Sequence, residues 1–339
     1  MDTAGPLASA RPEGVAPFGR PIGPVLALML LAPFMAEVLS GASSPLGLVV
    51  FPPLIALDLG LYGCGAVLIR EAVLRWNRGW PGVLALGVAF AFVEEGLVVS
   101  SFFDPNSPPR RAFDSSGRWG AGPDGSNWVW IPVLCLFHAV VAIALPILVV
   151  HLAYPSRARA TWLSGRRILV AAACLILAAL LGRAMFSSGA FADGYYAHIE
   201  GWQVGASLAA IVGLVALARS LPARIGPQVG GRAPEPWLVA VLAAAAYAAY
   251  FLAGMGGESV GLPPAVALGA VLTLATVAAL ALTWASAGEG WSDRHRFAVP
   301  VGVGAFYVVV SPLLGPVGLL VGLGTAAVMW RGWRRLRTT

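Results

Sequence analysis

The chain has 339 residues, of which 58% are hydrophobic and only 11% charged. A soluble domain carries about 25% charged residues, so most of this surface faces something other than water. The formal net charge is +6, and all 22 basic residues are Arg. They flank apolar runs and form no single patch, a pattern of membrane topology and not of nucleic-acid binding.

In chain order, residues 1–20 are polar, contain Pro6, Pro12 and Pro17, and read as a flexible cytoplasmic tail. Ten apolar runs follow, at 22–40, 46–69, 81–103, 127–152, 167–186, 202–221, 236–256, 264–287, 297–312 and 315–331. In lipid every backbone N–H and C=O must be paired internally, which leaves helices or a closed barrel. The runs do not alternate with period two, so the expected fold is an all-α polytopic transmembrane bundle of about ten spans. Pro52-Pro53 is expected to kink the second span and Pro146 the fourth. The 104–126 connection is rich in Pro, Gly, Asp and Ser and reads as exposed and irregular, either a plain linker or a lid. Residues 297–331 are either one long tilted helix or a hairpin broken at Pro312-Leu313-Leu314-Gly315-Pro316.

Arginine placement favours the hairpin. With ten spans, 18 Arg fall in the tail, alternate loops and C-terminus, while Arg110, Arg111 and Arg118 fall opposite and Arg183 lies within a span. The positive-inside rule then puts both termini in the cytoplasm and the chain in a cell (cytoplasmic) membrane. Many tryptophans, among them Trp80, Trp128 and Trp330, sit near span ends, as interfacial anchors do. Gly201/Gly205 and Gly318/Gly322 have the spacing of close helix contacts, read as packing inside one bundle. Cys64, Cys135 and Cys174 are far apart in sequence and suggest neither a disulfide framework nor a zinc site.

Ionisable residues within spans mark functional candidates, because each costs at least ~2.5–3.5 kcal/mol to insert. They concentrate in a four-span half, 21–152, as Glu37, Asp58, Glu94, Glu95 and His138. The six-span remainder, 153–339, is charge-poor, with Arg183 as its main exception. At ~1.5 Å rise per residue, Glu94, His138 and Asp58 lie within one or two helical turns of a common depth. Glu94, Glu95 and His138 are therefore the expected catalytic set, with Asp58 and Asn127 as supporting groups. Neighbouring residues on an α-helix point ~100° apart, so one glutamate is expected to face the site and the other a neighbouring helix. No cofactor and no metal are assigned: a shielded carboxylate can act as general base, and an imidazole can stabilise an oxyanion. Glu37 and Arg183 are expected to form a structural ion pair.

Val93-Glu94-Glu95-Gly96-Leu97 on one span, followed by Phe137-His138 on the next, resembles the CAAX-processing and bacteriocin-processing (CPBP) group of intramembrane proteases. The resemblance covers roughly residues 66–152. It implies a water-activating role for Glu94 or Glu95, with His138 as partner, acting on a peptide substrate. The Arg position of that group's EExxxR motif is Val99 here, and the Phe position four residues before the histidine is Leu134. Two other readings fit the same residues: a proton-coupled transporter or permease for a small solute, and a non-catalytic membrane partner protein. The bilayer is the expected environment, with no nucleic-acid partner, and the sequence leaves the oligomeric state open.

Overall fold

The computed structural model describes residues 23–113, 118–189, 195–226 and 231–336; the expected tail at 1–20 lies outside them. Regular structure is helical. In chain order the helices are α1 (Pro24–Leu39), α2 (Pro45–Val50), α3 (Pro53–Arg75), α4 (Trp80–Val98), α5 (Pro108–Phe113) and α6 (Trp130–Ala153). They continue with α7 (Gly165–Ser187), α8 (Gly201–Ser220), α9 (Pro236–Gly254), α10 (Pro264–Ser286), α11 (Asp293–Val310) and α12 (Gly315–Arg335). Eight stretches among the described residues are long and apolar enough to cross a membrane, with α11 and α12 counted as one and α1 as a shorter apolar helix.

The α11–α12 stretch is a hairpin. Gly315, at φ +79, takes a backbone conformation that side chains disfavour, and the chain reverses there. The Arg294 guanidinium near the start of α11 consequently stacks 5.0 Å from the Trp333 ring near the end of α12. The second span differs from expectation. Pro52-Pro53 does not kink a continuous 46–69 helix but starts α3, while α2 stands apart. Proline is tolerated in a first helical turn, where its missing N–H would be unpaired anyway.

Loop contacts place alternate connections at the same end of the bundle. Arg70 donates to the carbonyls of Arg157, Ala158 and Ala160, and Arg75 to that of Leu163. Arg219 lies over Trp76 and His295 contacts the Pro234 carbonyl, so these turns share one arginine-rich end. The opposite end carries 99–113, 118–129, 188–189 and 195–200. The 104–126 connection is less open than its composition suggests. It includes α5, buries Ser107 and Arg110, and is tied down by Trp119 Nε1 donating to Leu262 O at 3.2 Å.

The centre of the bundle is α4 and α6, whose most apolar windows are 61% and 72% buried, against 11% for α7 and α10. The two helices that carry the glutamate pair and His138 are thus those most removed from lipid. Residues of α6 enter both apolar cores, Ile143 and Ile147 in one, Val133 and Leu134 in the other. Gly318 and Gly322 pack inside the α11–α12 hairpin, whereas a Cβ added at Gly201 or Gly205 would meet nothing within 4 Å among the described residues.

Four widened π-helical segments interrupt these helices, at Phe34–Leu39, Leu59–Gly63, Phe92–Val98 and His138–Ala144. Single π turns recur at functional sites, since an extra residue in a turn re-aims its side chains. The last of them ends two residues before Pro146, whose ring and missing N–H disfavour a regular turn.

Candidate functional site

Each π segment contributes to one polar cluster. Phe34–Leu39 carries Glu37, Leu59–Gly63 carries Tyr62, Phe92–Val98 carries Glu94 and Glu95, and His138–Ala144 begins with His138. His138 Nε2 lies 3.2 Å from Glu94 Oε2 and 4.0 Å from Glu95 Oε1. Both carboxylates therefore converge on the imidazole. The expected 100° divergence assumed a regular α-helix; the wide turn and the long glutamate side chains overcome it. Exposure is 8% for Glu94, 6% for Glu95 and 1% for His138.

The surroundings fix each group. His138 Nδ1 is 2.8 Å from Leu134 O, and a carbonyl can only accept, so Nδ1 carries the hydrogen and Nε2 faces the glutamates as an acceptor in the neutral ring. Tyr62 stacks on the imidazole with the planes 8° apart and centroids 6.1 Å apart, while Phe90 and Phe137 lie at 6.0 and 5.2 Å. Ser101 Oγ donates to Glu95 and accepts from Trp130 Nε1 at 2.9 Å. The chain reaches this position through Ser100, whose φ of 65° is left-handed and costs about 1–3 kcal/mol in a non-glycine residue.

The supporting residues divide. Asp58 and Glu37 are half-buried and lie in the same neighbourhood as Glu94 and Tyr62. Asn127 does not reach the cluster. Its Oδ1 accepts from the backbone N–H groups of Val129 and Trp130, at 3.0 and 2.8 Å, and so sets the start of α6 and with it Trp130. The Glu37–Arg183 pair does not form. Glu37 accepts from Ser43 Oγ at 2.6 Å, while Arg183 donates to Ser100 Oγ and to Ala197 O. A separate cavity of about 620 Å³ lies at the loop end, lined by Asp104, Asp124, Tyr195, His198 and Glu200.

Tyr62, Ser101 and Trp130 are cluster residues that the sequence reading missed. Tyr62 follows Asp58 by four residues and so shares its helix face, a signal that was available. Nothing in sequence spacing announces Ser101, because its position depends on the reversal at Ser100.

Residues 26–330, most of the chain, match the model of an uncharacterized membrane protein family. The chain belongs to this family. With its apolar helices, it is a multi-pass membrane protein. No curated protein and no solved structure matches it.

In this family member the cluster gathers two carboxylates and an imidazole with few polar competitors. Glu94, Glu95 and His138 each offer a donor atom within 4.8 Å of the others. Such a set can take a proton from water, hold a proton, or hold a cation.

Proposed function

We propose that the protein is an intramembrane hydrolase whose site is Glu94, Glu95 and His138. The carrying observation is the convergence of both glutamates on His138 Nε2 at 3.2 and 4.0 Å within the most buried pair of helices. One glutamate takes a proton from water, and the resulting nucleophile attacks the carbonyl of a peptide bond. His138 donates to the developing oxyanion, having received a proton from the cluster, and the protonated glutamate passes its proton to the leaving amine. Glu95, held by Ser101, is the more firmly oriented of the pair. The CPBP resemblance supports this reading through Glu94, Glu95 and His138 alone, and the substrate class is a peptide segment within or at the membrane.

The reading includes ten crossings, formed by the eight apolar stretches with the hairpin divided and α1 added. In this reading both termini are cytoplasmic and the chain lies in the cell membrane.

Purified protein in proteoliposomes, offered a set of transmembrane peptides and analysed by mass spectrometry, tests the proposal. Cleavage that disappears in Glu94→Gln, Glu95→Gln and His138→Ala supports it; cleavage that persists in all three rejects it.

A second reading rests on the half-buried Asp58 and Glu37, which extend the polar line from the buried cluster through Tyr62. Such a line suits proton transfer in a carrier. Proton uptake into proteoliposomes that depends on Asp58 and Glu37, without peptide cleavage, would favour it.

A further inference from the structure

The contact between His138 Nε2 and Glu94 Oε2 is electrostatically incomplete as it stands. Both atoms are buried and neither makes a hydrogen bond. Nδ1 spends its hydrogen on Leu134 O, so an imidazole lone pair faces a carboxylate oxygen at 3.2 Å. Two acceptors in contact need a proton or a cation between them. Among the described residues no basic side chain supplies it. Arg183 is engaged with Ser100 and Ala197, and Arg70 with Glu71 and His151. Glu37 and Asp58 add further acidic groups to the same neighbourhood.

We infer that Glu94, Glu95 and His138 form a binding site for one divalent transition-metal ion of the zinc class. Imidazole nitrogen and carboxylate oxygen bind such ions at about 2.0–2.2 Å, so two ligands of one ion lie no more than ~4.4 Å apart and about 3.3–3.6 Å apart in a tetrahedral site. The 3.2 Å separation of Nε2 from Glu94 is close to that of a tetrahedral pair, and the 4.0 Å separation from Glu95 lies inside the outer bound, so Glu95 would close in by about half an ångström on the ion. Three protein ligands leave a fourth position for water or substrate, the arrangement of catalytic sites rather than structural ones. The supporting contacts are also those that metal sites use. A metal-binding histidine donates its other N–H to a carbonyl or carboxylate, and a ligating carboxylate is held by a further hydrogen bond. Here Leu134 O and Ser101 Oγ fill those two roles. The absence of thiols from the set favours nitrogen- and oxygen-seeking ions over those that prefer sulfur.

The inference stands on the site's geometry and not on the hydrolytic reading: a metal-bound Nε2 carries no hydrogen, so in the loaded protein the ion and not His138 would stabilise the oxyanion, and the two assignments fail separately. Full-length protein in nanodiscs, stripped with a chelator and desalted, is titrated with Co²⁺ and then Zn²⁺. Bound metal is counted by mass spectrometry, and Co²⁺ coordination is followed by visible absorption. The expected result is one ion per chain, with ligand-field bands and no thiolate charge-transfer band, displaced by Zn²⁺. Glu94→Gln and His138→Ala should each weaken Co²⁺ binding by about 100-fold or more, and Ser101→Ala by about 10–100-fold. His198→Ala, at the loop-end cavity, should bind as the unmodified protein does. Should the site variants fail to fold, the spectrum and stoichiometry of the unmodified protein decide. A protein that takes up no stoichiometric ion, or binds it equally well without Glu94 and His138, overturns the inference, whether or not it cleaves peptides.

Discussion

Gly87 on α4 and Ala139 on α6 lie so close that a Cβ built on Gly87 would sit 2.6 Å from Ala139 Cα. Ala139 immediately follows His138, and Gly87 lies two turns before Glu94, so this contact sets the separation of the site's two principal helices. Gly87→Val should force them apart, at about 1–3 kcal/mol for overpacking. Thermal unfolding in detergent should show the loss. An unchanged midpoint would mean that the two helices are not in backbone contact.

Ser101 joins Trp130 to Glu95, and removing its hydroxyl leaves both the indole N–H and a buried carboxylate oxygen short of a partner. Ser101→Ala should therefore destabilise the protein by about 1–3 kcal/mol. Trp130→Phe removes the other half of the same link. A double-mutant cycle should give a coupling of about 0.5–3 kcal/mol; strict additivity would show that the link is not made.

The arginine-rich end predicts sidedness. Reporters inserted near residues 79, 160 and 290 and fused after residue 336 should all report one side of the membrane. Reporters near residues 122 and 260 should report the other. A C-terminal reporter on the same side as residue 122 would contradict the hairpin and the ten-crossing count.

Outside the spans, burial raises the Tyr195 hydroxyl well above its ordinary range, and its 2.7 Å hydrogen bond to Asp104 Oδ2 adds to the effect. The folded protein therefore keeps this proton where the unfolded chain, with a value of about 10, releases it. The resulting stabilisation is complete below pH ~10 and declines as pH rises above that value toward the folded one. Unfolding midpoints measured from pH 8 to 11 should fall more steeply for the unmodified protein than for Tyr195→Phe. Parallel profiles would show that Tyr195 is not held in this way.

Much of the bundle was legible in the sequence because apolar length is a coarse and robust signal. Spans such as 202–221 and 236–256 lie within two residues of α8 and α9 at each end. The second span was misread because a proline pair starts a helix as readily as it bends one. The candidate site was legible in its composition, since few ionisable residues occur in the apolar runs, but not in its geometry. A 100° rotation per residue separates Glu94 from Glu95, and the sequence carries no mark of the π turn that cancels the difference. Asn127 was conspicuous as a polar residue before a span, yet its function in the fold is to fix the start of α6. Ser101 was hidden because its place depends on the left-handed backbone of Ser100.

The central claim is that a water molecule is activated between Glu94, Glu95 and His138. Single-turnover cleavage of a transmembrane peptide in ¹⁸O-labelled water tests it most directly. One ¹⁸O atom should enter the newly formed carboxyl terminus, and the rate should fall by about 10²–10⁴-fold in Glu95→Gln and His138→Ala. Unlabelled products, or variants that cleave at the rate of the unmodified protein, would contradict it.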